Sequence, residues 1–401
     1  MRVLVVYASD LDDPSRIAPG GITSNLRGYI DQLPIDWQIE CWGVAALGMP
    51  AIRTIQLGSR TVLHRAIVTA APPGQRRLPL SPTFTAALAW RAHRSLRASS
   101  YDVVIAHRTD YLPALTLATR GHHPPIVTMI HGSSEWAASH FRGLGLQLYM
   151  ASEGSAMRHS AAIALVAGSS LPYYRSKYPH AAGKLRWIPN GVDTTRFVSR
   201  TSSAMARARF GVPPGKRVLV YHGRYDREKG IGRLLATLQA LHAGGESDWH
   251  LLTAGIGPEQ QQLLAAASTW AAGHLTDVGY LASADIPALL AAADVALLLS
   301  DFEGLSNGLL ESLAAGLPVV ATPAGDASIV LERLRGSLIE STDSAAIAAT
   351  VRAVWQDRER LQPLALSTAE RFSLAARGRR LTQLLTLTAA GRASEFPHEP
   401  V

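Results

Sequence analysis

The segment SDFEGLSNGLLESLAAGLPVVAT, residues 300–322, gathers the side chains best suited to chemistry. Glu303 falls in a loop after the apolar run VALLLS, Ser306 or Asn307 can cap a helix, and Glu311 follows on that helix. Gly304 and Gly308 leave backbone N–H groups near the helix start open to a diphosphate, which a helix dipole favours. Were 303–311 helical throughout, the two carboxylates would stand ~12 Å apart along the axis and would touch different parts of one long ligand. Taken singly, Glu303 is equally well a surface acid and Glu311 the partner of a basic group.

In GRYDREKGIGRLL, Arg224 and Lys229 bracket a short loop at the end of the run RVLVYHG, so two cations could converge on one phosphate. A solvated turn is the alternative, because Asp226 and Glu228 lie between them and can pair locally. Gly20 and Gly21 follow the first strand and allow close backbone approach to an anion; Gly255 and Gly257 in AGIGPE could let a flat group lie against backbone. A tight turn is the plainer account of each glycine pair. No metal centre is expected: Cys41 is the only cysteine, and the adjacent His122 and His123 lack a nearby carboxylate triad.

These loops need strands to carry them. The chain of 401 residues, 47% apolar and 17% charged, is an ordinary globular mixture of two-domain length. Buried parallel strands are predicted at the start of the chain and at 102–107, 125–131 and 162–169; a second series covers 217–224, 249–255, 295–300 and 317–322. The fold class is therefore α/β, with two doubly wound Rossmann-like domains facing across a cleft. The first spans 1–193, a hinge 194–215, the second 216–372; a terminal helix at 373–390 returns to the first domain, and 391–401 forms a frayed tail. The opening apolar run is too short for a secretory leader and no stretch reaches spanning length, so a cytoplasmic location is expected, peripheral at the inner face of the membrane.

Charge is unevenly placed. Residues 1–195 carry 19 Lys and Arg against 11 Asp and Glu, whereas the remainder is neutral. At helical spacing Arg91, Arg94 and Arg97 share one face beside Trp90, with Leu88, Ala92 and Leu96 opposite, as a helix meeting an anionic membrane surface would have it. A helix covering a sheet with a solvated Arg face reads equally well. Nucleic acid is not the expected partner.

The ordered set PGGI, IHG, PNGVD, GRYDREKG, AGIGP, VGYL, AAADVALLLS and EGLSNGLLESLAAGLPVVAT resembles the retaining nucleotide-sugar glycosyltransferases of family 4, which have the GT-B fold. The likeness spans most of the chain, and its C-terminal part is specific: Glu303 and Glu311 fill an E-x7-E pattern in its EG…LLE context. The resemblance implies that Glu311 binds the ribose of the donor and Glu303 the hydroxyls of the transferred sugar. Backbone N–H groups of Leu305, Ser306, Asn307, Gly308 and Leu309, with Arg224 and Lys229, would hold the diphosphate. Gly20 and Gly21 would close on it from the first domain, and His131 would lie beside the sugar. It further implies a nucleotide-sugar co-substrate, UDP-linked by preference, no cofactor, no metal, and a saccharide, lipid-linked or small glycoside acceptor. Two other readings share the architecture: an isomerase like the UDP-sugar 2-epimerases, and a non-catalytic nucleotide-sugar-binding subunit.

Overall fold

A computed structural model describes residues 1–12, 21–71, 80–96, 100–132, 142–198, 202–334, 336–339 and 341–397. It divides into two units, Met1–Gly191 with Leu374–Val401, and Val192–Ser373.

The first unit holds an eight-stranded sheet of order β3-β4-β2-β1-β5-β6-β7-β8. Its strands are β1 (Arg2–Val6), β2 (Gln38–Ala46), β3 (Ile52–Leu57), β4 (Arg60–Ala70), β5 (Val103–Ala106), β6 (Ile126–Ile130), β7 (Ala162–Leu165) and β8 (Leu185–Trp187). Only β3 and β4 pair antiparallel; the other pairings are parallel. β5, β6 and β7 are buried along their whole length, which is why they read as unbroken apolar runs. Phe84, Leu88, Ala92 and Leu96 share one core with Leu4, Val6, Val104 and Tyr111.

The helix Leu80–Ser95 therefore covers the sheet, and its basic side is only partly free. The Arg91 guanidinium lies over the Trp42 ring, 5.7 Å from its centroid. This corrects the single outward Arg91–Arg94–Arg97 face: Arg94 stacks on the exposed Trp90 at 4.8 Å, Arg91 turns inward, and Arg97 lies outside the described residues.

The terminal helix Leu374–Ala389 belongs to the first unit and packs on the helix Gly21–Asp31. The segment beyond it is not frayed through Phe396: that ring is 2% exposed beneath Arg380, and Arg186 donates to the Ala393 carbonyl at 2.9 Å.

The second unit holds an all-parallel sheet of order β11-β10-β9-β12-β13. Its strands are β9 (Arg217–His222), β10 (Trp249–Ala254), β11 (Leu275–Asp277), β12 (Val295–Leu298) and β13 (Val319–Ala321). The stretch expected as a hinge is built into this unit. It forms the helix Ser203–Arg209, capped by Ser202, and Arg207 donates to the Asp294 carboxylate at 2.6 Å and to the Ala292 carbonyl at 3.0 Å. Two prolines and a glycine follow it, but an ion pair half out of water holds the segment in place.

Among the described residues no helix is long and apolar enough to cross a membrane.

Candidate active site

β9 lies between β10 and β12, so the chain turns in opposite directions from it, and the loops after β9 and β12 flank the switch point of the sheet. Open α/β sheets bind ligands at such a point, beyond the carboxyl ends of the strands. Two features lock these loops together. Gly230 has φ +71°, and a Cβ there would stand 2.0 Å from the Leu299 carbonyl oxygen, so only glycine fits. The Asp301 N–H donates to the Glu228 carbonyl at 2.8 Å.

The locked loops bring Lys229 to Glu303. Lys229 Nζ donates to Glu303 Oε1 at 2.7 Å, and Ser300 Oγ donates to the same oxygen at 2.9 Å. The paired side chains are 19% and 15% exposed, dry enough for the pair to be firmer than a surface ion pair. On the other side, the Asp326 N–H donates to the Gly304 carbonyl at 2.9 Å, fixing the loop that carries Glu303. A small pocket beside this pair is lined by Ser300, Glu303, Ser306, Leu309, Thr322 and Ala327.

The following helix runs Asn307–Ala314, so 303–306 are loop and the continuous-helix spacing does not apply. Ser306 is its cap, with Oγ accepting from the Leu309 N–H at 3.3 Å. Leu309 was expected to offer that N–H to a diphosphate; the cap already engages it, and its side chain, like that of Leu305, is buried. The turn Ser306, Asn307, Gly308 remains the N-terminal end of the helix dipole.

Glu311 accepts from His222 Nε2 at 3.0 Å. His222 ends β9, its side chain is 8% exposed, and Gly308 passes close to its ring. Sequence reasoning gave neither His222 nor Ser300 a role. The only signal for the histidine was its place as the last residue of a strand that feeds the site loop.

Arg224 and Lys229 are held by different carboxylates. Arg224 is 69% exposed and pairs with Asp226, as the local-pairing alternative would have it. Gly255 and Gly257 serve loop packing: a Cβ at Gly255 would stand 1.8 Å from the Gly223 carbonyl oxygen, and one at Gly257 2.4 Å from that of Tyr225. Their lack of side chains seats the loop after β10 on the loop after β9.

In the first unit, His131 follows β6 and His107 follows β5, the neighbouring strand. His107 Nδ1 and His131 Nε2 are 3.0 Å apart, and His107 Nε2 and the Tyr29 hydroxyl 2.5 Å. Arg377, from the terminal helix, lies over the Tyr29 ring at 5.3 Å and donates to the amide oxygens of Asn25 and Asn190 at 2.9 and 2.7 Å. Burial, then the positive charges of Arg377 and Arg108, lowers the His131 pKa to about 3. Burial, then His131 and Arg377, likewise pushes His107 well below its ordinary value, so both rings are neutral. Gly21 opens the helix Gly21–Asp31, and Gly20 lies outside the described residues.

Comparison with known proteins gives the family and the fold. Residues 216–357 match the family described as Glycosyl transferases group 1, and residues 52–196 the one described as Glycosyltransferase Family 4. Glycogen synthase of Mycobacterium tuberculosis is 31% identical over 312 residues, 70% of this chain and 71% of the relative. Sucrose-phosphate synthase from Thermosynechococcus elongatus superposes with TM-score 0.75 at 18% identity, covering 97% of this chain and 99% of the other. HepE of Anabaena in complex with UDP-glucose gives TM-score 0.69 at 19% identity, covering 96% and 99%. With two Rossmann-like domains, this chain belongs to the family 4 glycosyltransferases of GT-B fold, enzymes that transfer a sugar from a nucleotide-sugar donor.

Proposed function

We propose that the chain transfers a sugar with retention of configuration, without a metal ion, from a UDP-sugar to a saccharide, lipid-linked saccharide or small glycoside. The observation that carries this reading is the Lys229–Glu303 pair beside a capped helix N-terminus at the switch point of the second sheet. Breaking a glycosyl–phosphate bond builds negative charge on the departing diphosphate. The Lys229 ammonium, the helix end at Ser306–Gly308 and the solvent-side Arg224 supply fixed positive charge to meet it. Glu311, aimed by His222, accepts from the ribose hydroxyls, and Glu303 from hydroxyls of the transferred sugar. The acceptor oxygen bonds to the anomeric carbon as the carbon–phosphate-oxygen bond breaks on the same face, and the hydroxyl proton passes to that phosphate oxygen. No side chain serves as nucleophile.

Uridine is favoured because HepE, which shares this fold, has been seen with UDP-glucose. His131, Gly20 and Gly21 belong to the same reading as donor-binding groups. The positive excess of residues 1–195 and the exposed Trp90–Arg94 pair support a reversible contact with anionic membrane lipid, at ~1 kcal/mol per cation. Salt-sensitive binding to anionic but not neutral vesicles, weakened by Arg94→Glu, tests that contact; equal binding to both contradicts it.

A thermal-shift screen of nucleoside diphosphates and nucleotide sugars tests the donor reading. A ligand at 100 times its Kd adds ~2.7 kcal/mol to stability. Stabilisation by uridine nucleotides above the others is expected; no shift with any of them contradicts it.

A further inference from the structure

The polar chain of the first unit settles a question of proton position that His131 alone leaves open. A neutral imidazole carries one N–H, and the partner of one nitrogen decides which nitrogen holds it. Tyr29 is fully buried, and its hydroxyl has one hydrogen-bond partner among the described residues, His107 Nε2. The charged group over its ring, Arg377, is a donor and cannot accept. A buried hydroxyl hydrogen without an acceptor is costly, so the Tyr29 O–H donates to His107 Nε2. His107 then bears its hydrogen on Nδ1 and donates to His131 Nε2, 3.0 Å away. His131 accepts there and must bear its own hydrogen on Nδ1, a nitrogen with no partner among the described residues.

We propose that Tyr29 and His107 are positioning residues that hold His131 as its neutral Nδ1–H tautomer, presenting an N–H donor to an oxygen of the bound sugar. The surroundings oppose the alternative of a charged imidazolium. Among the described residues, the titratable and charged groups facing the pair are Tyr7, Tyr29, Arg108 and Arg377, and Arg377, whose Nε and Nη2 have no partner among those residues, brings positive charge without a carboxylate. Asn25 and Asn190 hold that cation through neutral amide oxygens. The inference rests on the proposed donor-binding role of His131 for its catalytic consequence, though not for the tautomer itself.

The test is nitrogen-15 NMR of the full chain labelled at histidine, with kinetics alongside. His131 is expected to show the Nδ1–H pattern in the wild type between pH 6 and 8. Tyr29→Phe keeps the ring beneath Arg377 and removes only the hydroxyl. It is expected to convert His131 to a mixture of tautomers and to lower kcat about tenfold, the weight of one hydrogen bond, with nucleotide affinity unchanged. His107→Phe is expected to give the same mixture, which guards against a folding effect peculiar to one variant. An Nε2–H pattern in the wild type, or a tautomer unmoved by both variants, overturns the proposal. The Nδ1–H pattern together with full turnover by His131→Ala overturns the role of His131 at the sugar and leaves the tautomer assignment standing.

Discussion

The carboxyl edges of the two sheets carry polar clusters of opposite character. In the second unit Lys229 meets Glu303 and His222 meets Glu311, so each carboxylate has a basic partner within 3.0 Å and some exposure to solvent. In the first unit Tyr29, His107, His131 and Arg377 interact with no acid among them, and among the described residues only amide oxygens accept from the cation. Carboxylates paired with basic side chains at a half-dry edge keep charge ready for a charged ligand. A dry cluster without an anion keeps its imidazoles neutral and suits hydrogen bonding to an uncharged group. The proposed function uses this difference: diphosphate and ribose are charged or richly hydrogen-bonding groups suited to the first kind of cluster, and a sugar hydroxyl is suited to the second.

The largest expected effect tests the neutral character of the first unit. His64 and His131 have pKa values lowered to about 4 and about 3, and that of His107 also lies well below its ordinary value, each chiefly by burial. Among the described residues the second unit has one such group, His250, at about 4. The unfolded chain binds these protons below about pH 6.5 and the folded chain does not, so stability falls as pH drops from 6.5 towards the folded values. Each neutral histidine adds about 1.4 kcal/mol per pH unit to that loss. Denaturant unfolding between pH 6.5 and 4 should show a steep slope, flatter in His131→Gln; equal slopes would undo the comparison.

Next in size is Lys229→Ala. It removes the cation beside the leaving diphosphate and should lower kcat at saturating donor roughly 100- to 1,000-fold, with a smaller change in nucleotide affinity. Unimpaired turnover with weakened binding contradicts the charge-stabilising role.

The sequence made the second unit's site legible to a degree that the first unit's was not, for a physical reason. Glu303, Ser306 and Glu311 lie within a single strand–loop–helix unit, where local spacing dictates what they can reach, and Lys229 lies on the loop of the adjoining strand. Tyr29, His107, His131 and Arg377 come from four separate elements, and no local pattern joins residues so far apart. In the fold, the long buried strands were readable from their apolar runs. β8 and β11, three residues each, are too short to show a period. β2 escaped because Glu40 interrupts it, yet that carboxylate is held by Arg65, Trp42 and Tyr101. The β3–β4 hairpin turns at Gly58–Ser59, and its antiparallel alternation lacks the unbroken apolar run that marks a buried parallel strand.

A smaller effect separates the two cations. Arg224 is mostly in water beside Asp226, so Arg224→Ala should cost less than Lys229→Ala in kcat and, as an exposed pair, no more than about 1 kcal/mol of stability. A loss in turnover as large as that of Lys229→Ala would place both cations on the diphosphate equally. Smallest of all is the effect of chelation. Activity should be unchanged in EDTA, since Lys229 and the helix end supply the positive charge; loss restored by magnesium or manganese contradicts this.

The central claim is that the second unit's carboxylates and cation receive the donor nucleotide, and titrating UDP calorimetrically into the wild type and Glu311→Ala tests it most directly. Loss of charge-assisted hydrogen bonds to the ribose, worth ~1.5–3 kcal/mol, predicts a Kd raised roughly 10- to 150-fold in a variant whose circular dichroism is unchanged. An unaltered Kd in the folded variant would remove Glu311, and the His222 pair that aims it, from the site.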